Sequence, residues 1–159
     1  MPDELAPEIC VIGGGPGGIA LSIAAANQGL PVVLVEKTGL GGSNLREGGV
    51  PSAALRAAAD LHEALRRGPA FGVSGAPLQV NGARLQDHVR SVVAAAAANV
   101  SRARLEAFGV TVIDAEAHFA DRRTAVAGGT TIRARNFVLA TGSVPVLPAY
   151  EGLDSGRSL

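Results

Sequence analysis

Tryptophan is missing from this 159-residue chain, aromatic residues make up 3% of it, and cysteine occurs once. So few rings disfavour stacking on bases or sugars as the main binding device, and the core must be aliphatic. The lone thiol, Cys10, excludes an internal disulfide. Charge of one sign is also lacking: 14 basic residues cancel 14 acidic ones. No broad field therefore draws the protein to nucleic acid or to an anionic membrane, and a small-molecule partner is expected. The most apolar helical stretch, Ser91 to Val100, sits between Arg90 and Arg102 and falls far below the ~20 residues that cross a bilayer. The opening MPDELAPE has neither the basic segment nor the apolar run of a secretory signal, which makes the cytoplasm the expected compartment.

What the chain does have is 47% hydrophobic residues and 21 glycines. That suffices for one core of ordinary domain size. Glu8 to Ile12 reads as an apolar strand running into glycines, and GIALSIAAANQG as the helix that follows, closed by Asn27 and Gly29. PVVLVE, ending at Glu36, has no polar alternation, the pattern of a parallel strand covered on both faces. These three pieces make a βαβ unit. Beyond a glycine-rich loop, Pro51 suits the first turn of a helix over Ser52 to Arg67 that stops at Gly68-Pro69. Asn81 is placed to cap a second helix reaching Phe108, with Leu85, Val89, Val92 and Ala96 on one stripe. VTVID is a third buried strand, Glu116 to Arg133 breaks into a small β-meander, and NFVLATG is a last inner strand. The fold class is α/β: a Rossmann-like FAD/NAD(P)-binding fold with a central parallel sheet, helices and a meander.

IGGGPGGIA carries the dinucleotide spacing, with Gly13, Gly15 and Gly18 at the required positions and Pro16 and Gly17 between the last two. Each glycine has a separate reason. Gly13 permits the tight turn, Gly15 lets backbone approach a pyrophosphate, and Gly18 lets the helix pack closely on the strand. The helix N-terminus then offers unpaired N–H groups and partial positive charge to an anion. Glu36 follows Gly15 by 21 positions, at the end of the second strand, where a carboxylate can accept from ribose hydroxyls and repel a 2′-phosphate. On this pattern alone NAD and FAD remain tied.

The order of the glycine turn, EK, LGGSNLREGGVPSAAL, a helical insertion, AEAHF and FVLATGSVPVLP resembles the N-terminal segment of the pyridine nucleotide–disulfide oxidoreductases, the group of dihydrolipoamide dehydrogenase, glutathione reductase and mercuric reductase. The resemblance spans nearly the whole chain. It implies FAD as cofactor, with Gly13, Gly15, Pro16, Gly17 and Gly18 at the pyrophosphate and Glu36, beside Lys37, at the adenosine ribose. It further implies Gly42 and Ser43 at the phosphate–ribityl region, Ala117 by the adenine, and Ala140, Thr141 and Gly142 along the cofactor.

The resemblance also exposes a gap. The family loop reads Gly-Gly-Thr-Cys-x-x-x-x-Cys-x-Pro-x-Lys, and its two cysteines form the disulfide that takes electrons from the flavin. Here those cysteine positions hold Asn44 and Gly49, and the lysine position holds Ala53. Gly41, Gly42, Gly48, Pro51 and Ser52 keep the backbone scaffold. Neither an amide nor a hydrogen forms a thiolate or a mixed disulfide, and Cys10, in the first strand, reads as a small buried hydrophobe.

Other chemistry is thin. His62, His88 and His118 lie at no metal-ligand spacing, so no metal is expected, and Ser22, Ser52 and Ser143 have no associated base. RARLE reads as a solvated helix face and DRR as a turn. The leading expectation is an FAD-binding domain over residues 1–150, with 151–159 beginning a linker to an NAD(P)H domain outside these residues. NAD(P)H and a homodimer partner would be met only in a longer form. Alternatives are a stand-alone, non-catalytic dinucleotide-binding or interaction module, and an NAD-linked dehydrogenase with an unrelated loop.

Overall fold

The structure is a computed structural model that describes residues 4–144 together with 146, 148 and 150. The linker expected at 151–159 lies outside the described residues. In chain order the elements are β1 (Glu4–Leu5), β2 (Ile9–Ile12), α1 (Pro16–Asn27), β3 (Val32–Glu36), α2 (Gly42–Arg46), α3 (Gly49–Arg67), α4 (Gly82–Ala97), α5 (Arg102–Ala107), β4 (Val110–Asp114), β5 (Ala117–Asp121), β6 (Thr124–Ala127), β7 (Thr130–Ile132) and β8 (Asn136–Leu139).

Strands β4, β3, β2 and β8 form a parallel sheet in that order, with Ile9 opposite both Val32 and Asn136. All five residues of β3 are buried, as a strand covered on both faces requires. The period-two alternation splits its side chains between two cores. Val32 and Leu34 join Val11, Ile19, Leu105 and Val112 on the helical side. Val33 and Val35 join Cys10, Ala127 and Ile132 on the other. Each buried aliphatic side chain contributes about 1.5–3 kcal/mol, so both faces hold the sheet. The second face is covered by the meander β5-β6-β7, antiparallel throughout, to which β1 adds in parallel through Glu4 opposite Thr131. The layers are helices, parallel sheet, small sheet. Among the described residues no helix is long and apolar enough to cross a membrane.

Four details depart from the sequence reading. The helix expected at Ser52 starts at Gly49, so Pro51 is its third residue, and the loop before it contains the short helix α2. At its far end the stop is gradual: Gly68–Phe71 forms a 3₁₀ turn that closes at Gly72 with φ +77°. The helix expected to run from Asn81 to Phe108 breaks at Ser101, which is extended and whose backbone carbonyl accepts from the N–H groups of Arg104 and Leu105 at the start of α5. RARLE is therefore not a plain solvated face. Leu105 is 1% exposed in the core, and Arg102 donates to the Val112 carbonyl at 2.7 Å and pairs with Asp114 and Glu106.

Candidate functional site

The site lies at the carboxyl ends of the parallel strands, where β2 has β3 on one side and the last strand β8 on the other. Such a switch point leaves a crevice above the sheet. Three chain segments are laced together there. The Gly13 N–H donates to Val35 O at 2.8 Å, and the Gly41 N–H donates to Gly14 O at 2.8 Å. Gly13 adopts φ +112°, and a side chain on it would collide with the Ala140 carbonyl. A Cβ on Gly18 would collide with the Gly13 carbonyl oxygen and stand 3.3 Å from Val11. These two glycines make the turn and the close helix–strand packing expected of them.

Gly15 differs from both. It is the N-cap of α1, has an ordinary extended backbone, and a Cβ on it would meet nothing within 4 Å. The space in front of it is open. No side chain caps α1, no acidic residue sits in its first turn, and Pro16 occupies the start of the helix. The first-turn N–H groups and the positive end of the dipole thus face a cleft, which suits an anion.

That cleft encloses about 640 Å³. Of the residues expected to meet the cofactor, Gly13, Gly15, Pro16, Gly17, Glu36, Lys37, Gly42, Ser43, Ala117, Ala140, Thr141 and Gly142 all line it; Gly18 lies behind, in the helix–strand contact. Thr38, Arg46, Glu47, Ala115 and Glu116 also line it. Arg46 and Glu47 fall within the glycine loop and Ala115 and Glu116 beside Ala117, but no local pattern singles out these five; the fold carries them to the wall.

Glu36 is 8% exposed and already well used. Its Oε2 accepts from the Gly14 N–H at 2.6 Å, and its Oε1 from the Thr38 N–H at 2.6 Å, the Thr38 hydroxyl at 2.9 Å and the Gly39 N–H at 3.2 Å. Burial by itself would raise the carboxyl's pKa. The hydrogen bonds from Thr38, Gly14 and Gly39 outweigh it and hold the group below its ordinary value. A carboxylate offers about four acceptor positions, so Glu36 welds the glycine turn to the loop after β3 and keeps only Oε2 open to a further donor. Acceptance from two ribose hydroxyls, as the spacing suggested, would require Thr38 to turn away. At the rim, Lys37 Nζ meets Glu116 Oε1 at 2.9 Å, which lifts the lysine and lowers the carboxyl from their ordinary values.

Asn44, Gly49 and Ala53 are exposed and none lines this cleft. Asn44 instead lines a second cavity of about 500 Å³, walled by Ile19, Ile23, Leu45, Val50 and Val100. Ser22 is spent on the Gly18 carbonyl at 2.8 Å and Ser52 on the Gly49 carbonyl at 3.1 Å. Ser143 lines the first cleft, and His62, His88 and His118 lie apart on α3, α4 and β5. Cys10 is fully buried, and desolvation pushes its thiol up to about 11.

A glycine turn between strand and helix, an acidic residue closing the next strand and a crevice at the switch point define a Rossmann-like dinucleotide-binding domain. A family model described as pyridine nucleotide-disulphide oxidoreductase matches residues 7–159, and the chain belongs to that family. It is similar to a dihydrolipoyl dehydrogenase of Geobacillus stearothermophilus, 34% identical over 149 residues that cover 91% of this chain and 32% of the relative. It is also similar to a mercuric reductase of Streptomyces lividans, 33% identical over 153 residues covering 92% and 32%. The chain spans about a third of the length of these relatives.

Proposed function

We propose that this chain is the FAD-binding domain of an NAD(P)H-linked oxidoreductase related to dihydrolipoyl dehydrogenase, with its thiol relay replaced. The observation that carries the reading is the open space at Gly15, set between two glycines that cannot bear side chains and facing an uncapped helix N-terminus. A pyrophosphate placed there meets backbone N–H groups at no steric cost. Glu36 would take one adenosine ribose hydroxyl on Oε2, while Ala115 and Ala117 offer small side chains beside the adenine. Gly42 and Ser43 face the phosphates, and Ala140, Thr141 and Gly142 continue the wall toward the ring. Bound FAD would supply hydride-accepting chemistry, with NAD(P)H reaching it through parts of a longer protein; that form would be a cytoplasmic homodimer.

Asn44 and Gly49 stand at the family's redox positions and supply no thiolate, so electrons would not leave by dithiol exchange. An acceptor that meets the flavin directly, such as oxygen or a quinone, needs no thiol. Titration calorimetry of the chain with ADP and with FAD tests the binding reading. Saturable binding of both, with ADP displacing FAD, is expected; absence of ADP binding would end it. In the longer protein, thiol-dependent turnover that survives Cys10→Ser but is lost on Asn44→Ala would overturn the relay assignment.

A further inference from the structure

We infer that Arg46 is a phosphate-binding residue of the nucleotide cleft, a cation added to the backbone N–H groups of the glycine turn. This rests on the reading of the cleft as an adenine-nucleotide site. Arg46 is the last residue of α2, one turn beyond Gly42, whose backbone lies so near the glycine turn that a Cβ on it would stand 3.0 Å from Gly15 Cα. Helical side chains lean toward the N-terminus of their helix, and this one runs back over the loop that leads from β3. Its Nη1 donates to the Thr38 carbonyl at 2.6 Å and its Nη2 to the Leu40 carbonyl at 3.2 Å. Gly39, at φ +109°, passes beneath it without a side chain; a Cβ there would stand 2.5 Å from Nη2.

Those two bonds fix the guanidinium and leave its remaining donors free, since the group carries five N–H in all. Among the described residues no acidic side chain forms an ion pair with it. The carboxylates that share the cleft are otherwise engaged or apart: Glu36 accepts four internal hydrogen bonds, Glu116 pairs with Lys37, and Glu47, the next residue, makes no bridge to it. A pre-positioned guanidinium on the wall of a cleft that also presents a helix N-terminus is matched by a phosphate, through charge-assisted and often bidentate hydrogen bonds. Because the guanidinium lies over the loop that Glu36 holds, the phosphate it meets belongs to the adenosine half of the ligand, and since the Glu36 carboxylate would repel a 2′-phosphate it is the 5′-diphosphate.

The test uses Arg46→Gln, whose amide can keep one donor on the loop carbonyls while removing the charge. Binding of ADP, adenosine 2′-monophosphate and adenosine is followed by nitrogen–proton correlation spectra, which read millimolar affinities. A fivefold to tenfold loss of ADP affinity at low salt, shrinking as salt screens the charge, with adenosine affinity unchanged, is expected and assigns the 5′-diphosphate. The same loss confined to the 2′-monophosphate would put Arg46 at the ribose, away from the 5′-diphosphate, and overturn the assignment. Equal losses for adenosine and ADP would make Arg46 a loop brace only, and unchanged affinities would remove it from the site; either result overturns the inference. If the wild-type chain binds none of the three, the nucleotide reading itself has failed, and the two failures are distinct.

Discussion

The amide of Asn44 occupies the place that a side chain on Gly49 would need: a Cβ built on Gly49 would stand 2.9 Å from Asn44 Cγ and overlap Oδ1. Gly49 is not in the left-handed region, so its backbone accepts a side chain and only the asparagine opposes one. Because the exposed Asn44 amide must swing aside to admit the methyl, Gly49→Ala should lose the ~0.5–1 kcal/mol that alanine usually gains over glycine in a helix. Adding Asn44→Ala should recover most of that loss. A double-mutant cycle by urea unfolding measures the coupling, and strict additivity would contradict the contact.

The same proximity makes a pair of cysteines at these positions close enough to oxidise. In the double variant Asn44→Cys, Gly49→Cys, thiol titration under denaturing conditions should count one thiol before reduction, that of Cys10, and three after. Three thiols before reduction in air-equilibrated protein would show that the loop holds the two positions apart.

Glu36 links folding to acid. Its carboxyl lies below the ordinary value in the folded chain, so the folded state binds the proton less readily than the unfolded one. The stability it provides is complete above the unfolded value of about 4.3 and is lost as pH falls through the lower folded value. Glu36→Gln should flatten the acid limb of the stability–pH curve in that window. At neutral pH it should cost about 1–3 kcal/mol, because an amide turns an N–H toward donors that need an acceptor. An unchanged acid limb in chemical denaturation would place the acid sensitivity elsewhere.

Cys10 acts at the opposite end. Its thiol is raised by burial to about 11, so the stability tied to the neutral thiol is intact below the unfolded value of about 8.5 and falls as pH rises from there toward the folded value. At pH 8 a disulfide reagent should modify Cys10 only as fast as the chain opens, and immediately once it is denatured. Fast modification of the folded chain would contradict the burial.

The parts of the fold that were legible in sequence are those whose physical demands are local. A strand covered on both faces must be apolar at every position, as Val32 to Val35 are, and a turn that no Cβ can enter must be glycine, as at Gly13 and Gly18. The missed parts depend on distant partners. Strand β1 has two residues and exists because β7 offers Thr131 and Ile132 across more than a hundred intervening positions. The break at Ser101 lets Arg102 brace β4, and Arg46 reaches the cleft only because α2 folds back on the glycine turn. The heavy internal use of Glu36 was hidden for a related reason: its donors at Gly14, Thr38 and Gly39 are backbone and hydroxyl groups, which leave no charge pattern to read.

The glycines of the turn can be separated by what fills the space beside each. Gly18→Ala pushes a methyl into the Gly13 carbonyl and against Val11, both in the buried contact between α1 and β2. Neither neighbour is the free end of a flexible side chain, so the variant should lose several kcal/mol and much of its folded population, in the range of severe core overpacking and strain. Gly15→Ala asks for nothing comparable. Its backbone is at φ −74° and ψ −178°, and no atom lies within 4 Å of the new methyl, so its unfolding free energy should stay within about 0.5 kcal/mol of the parent. The methyl does enter the space through which a pyrophosphate would approach the first turn of α1. ADP affinity should fall at least tenfold, a change of about 1.4 kcal/mol, in a protein that is otherwise as stable as the original. A Gly15→Ala chain that binds ADP as well as the parent would show that the phosphates pass elsewhere, and the glycine turn would then serve only to join strand and helix.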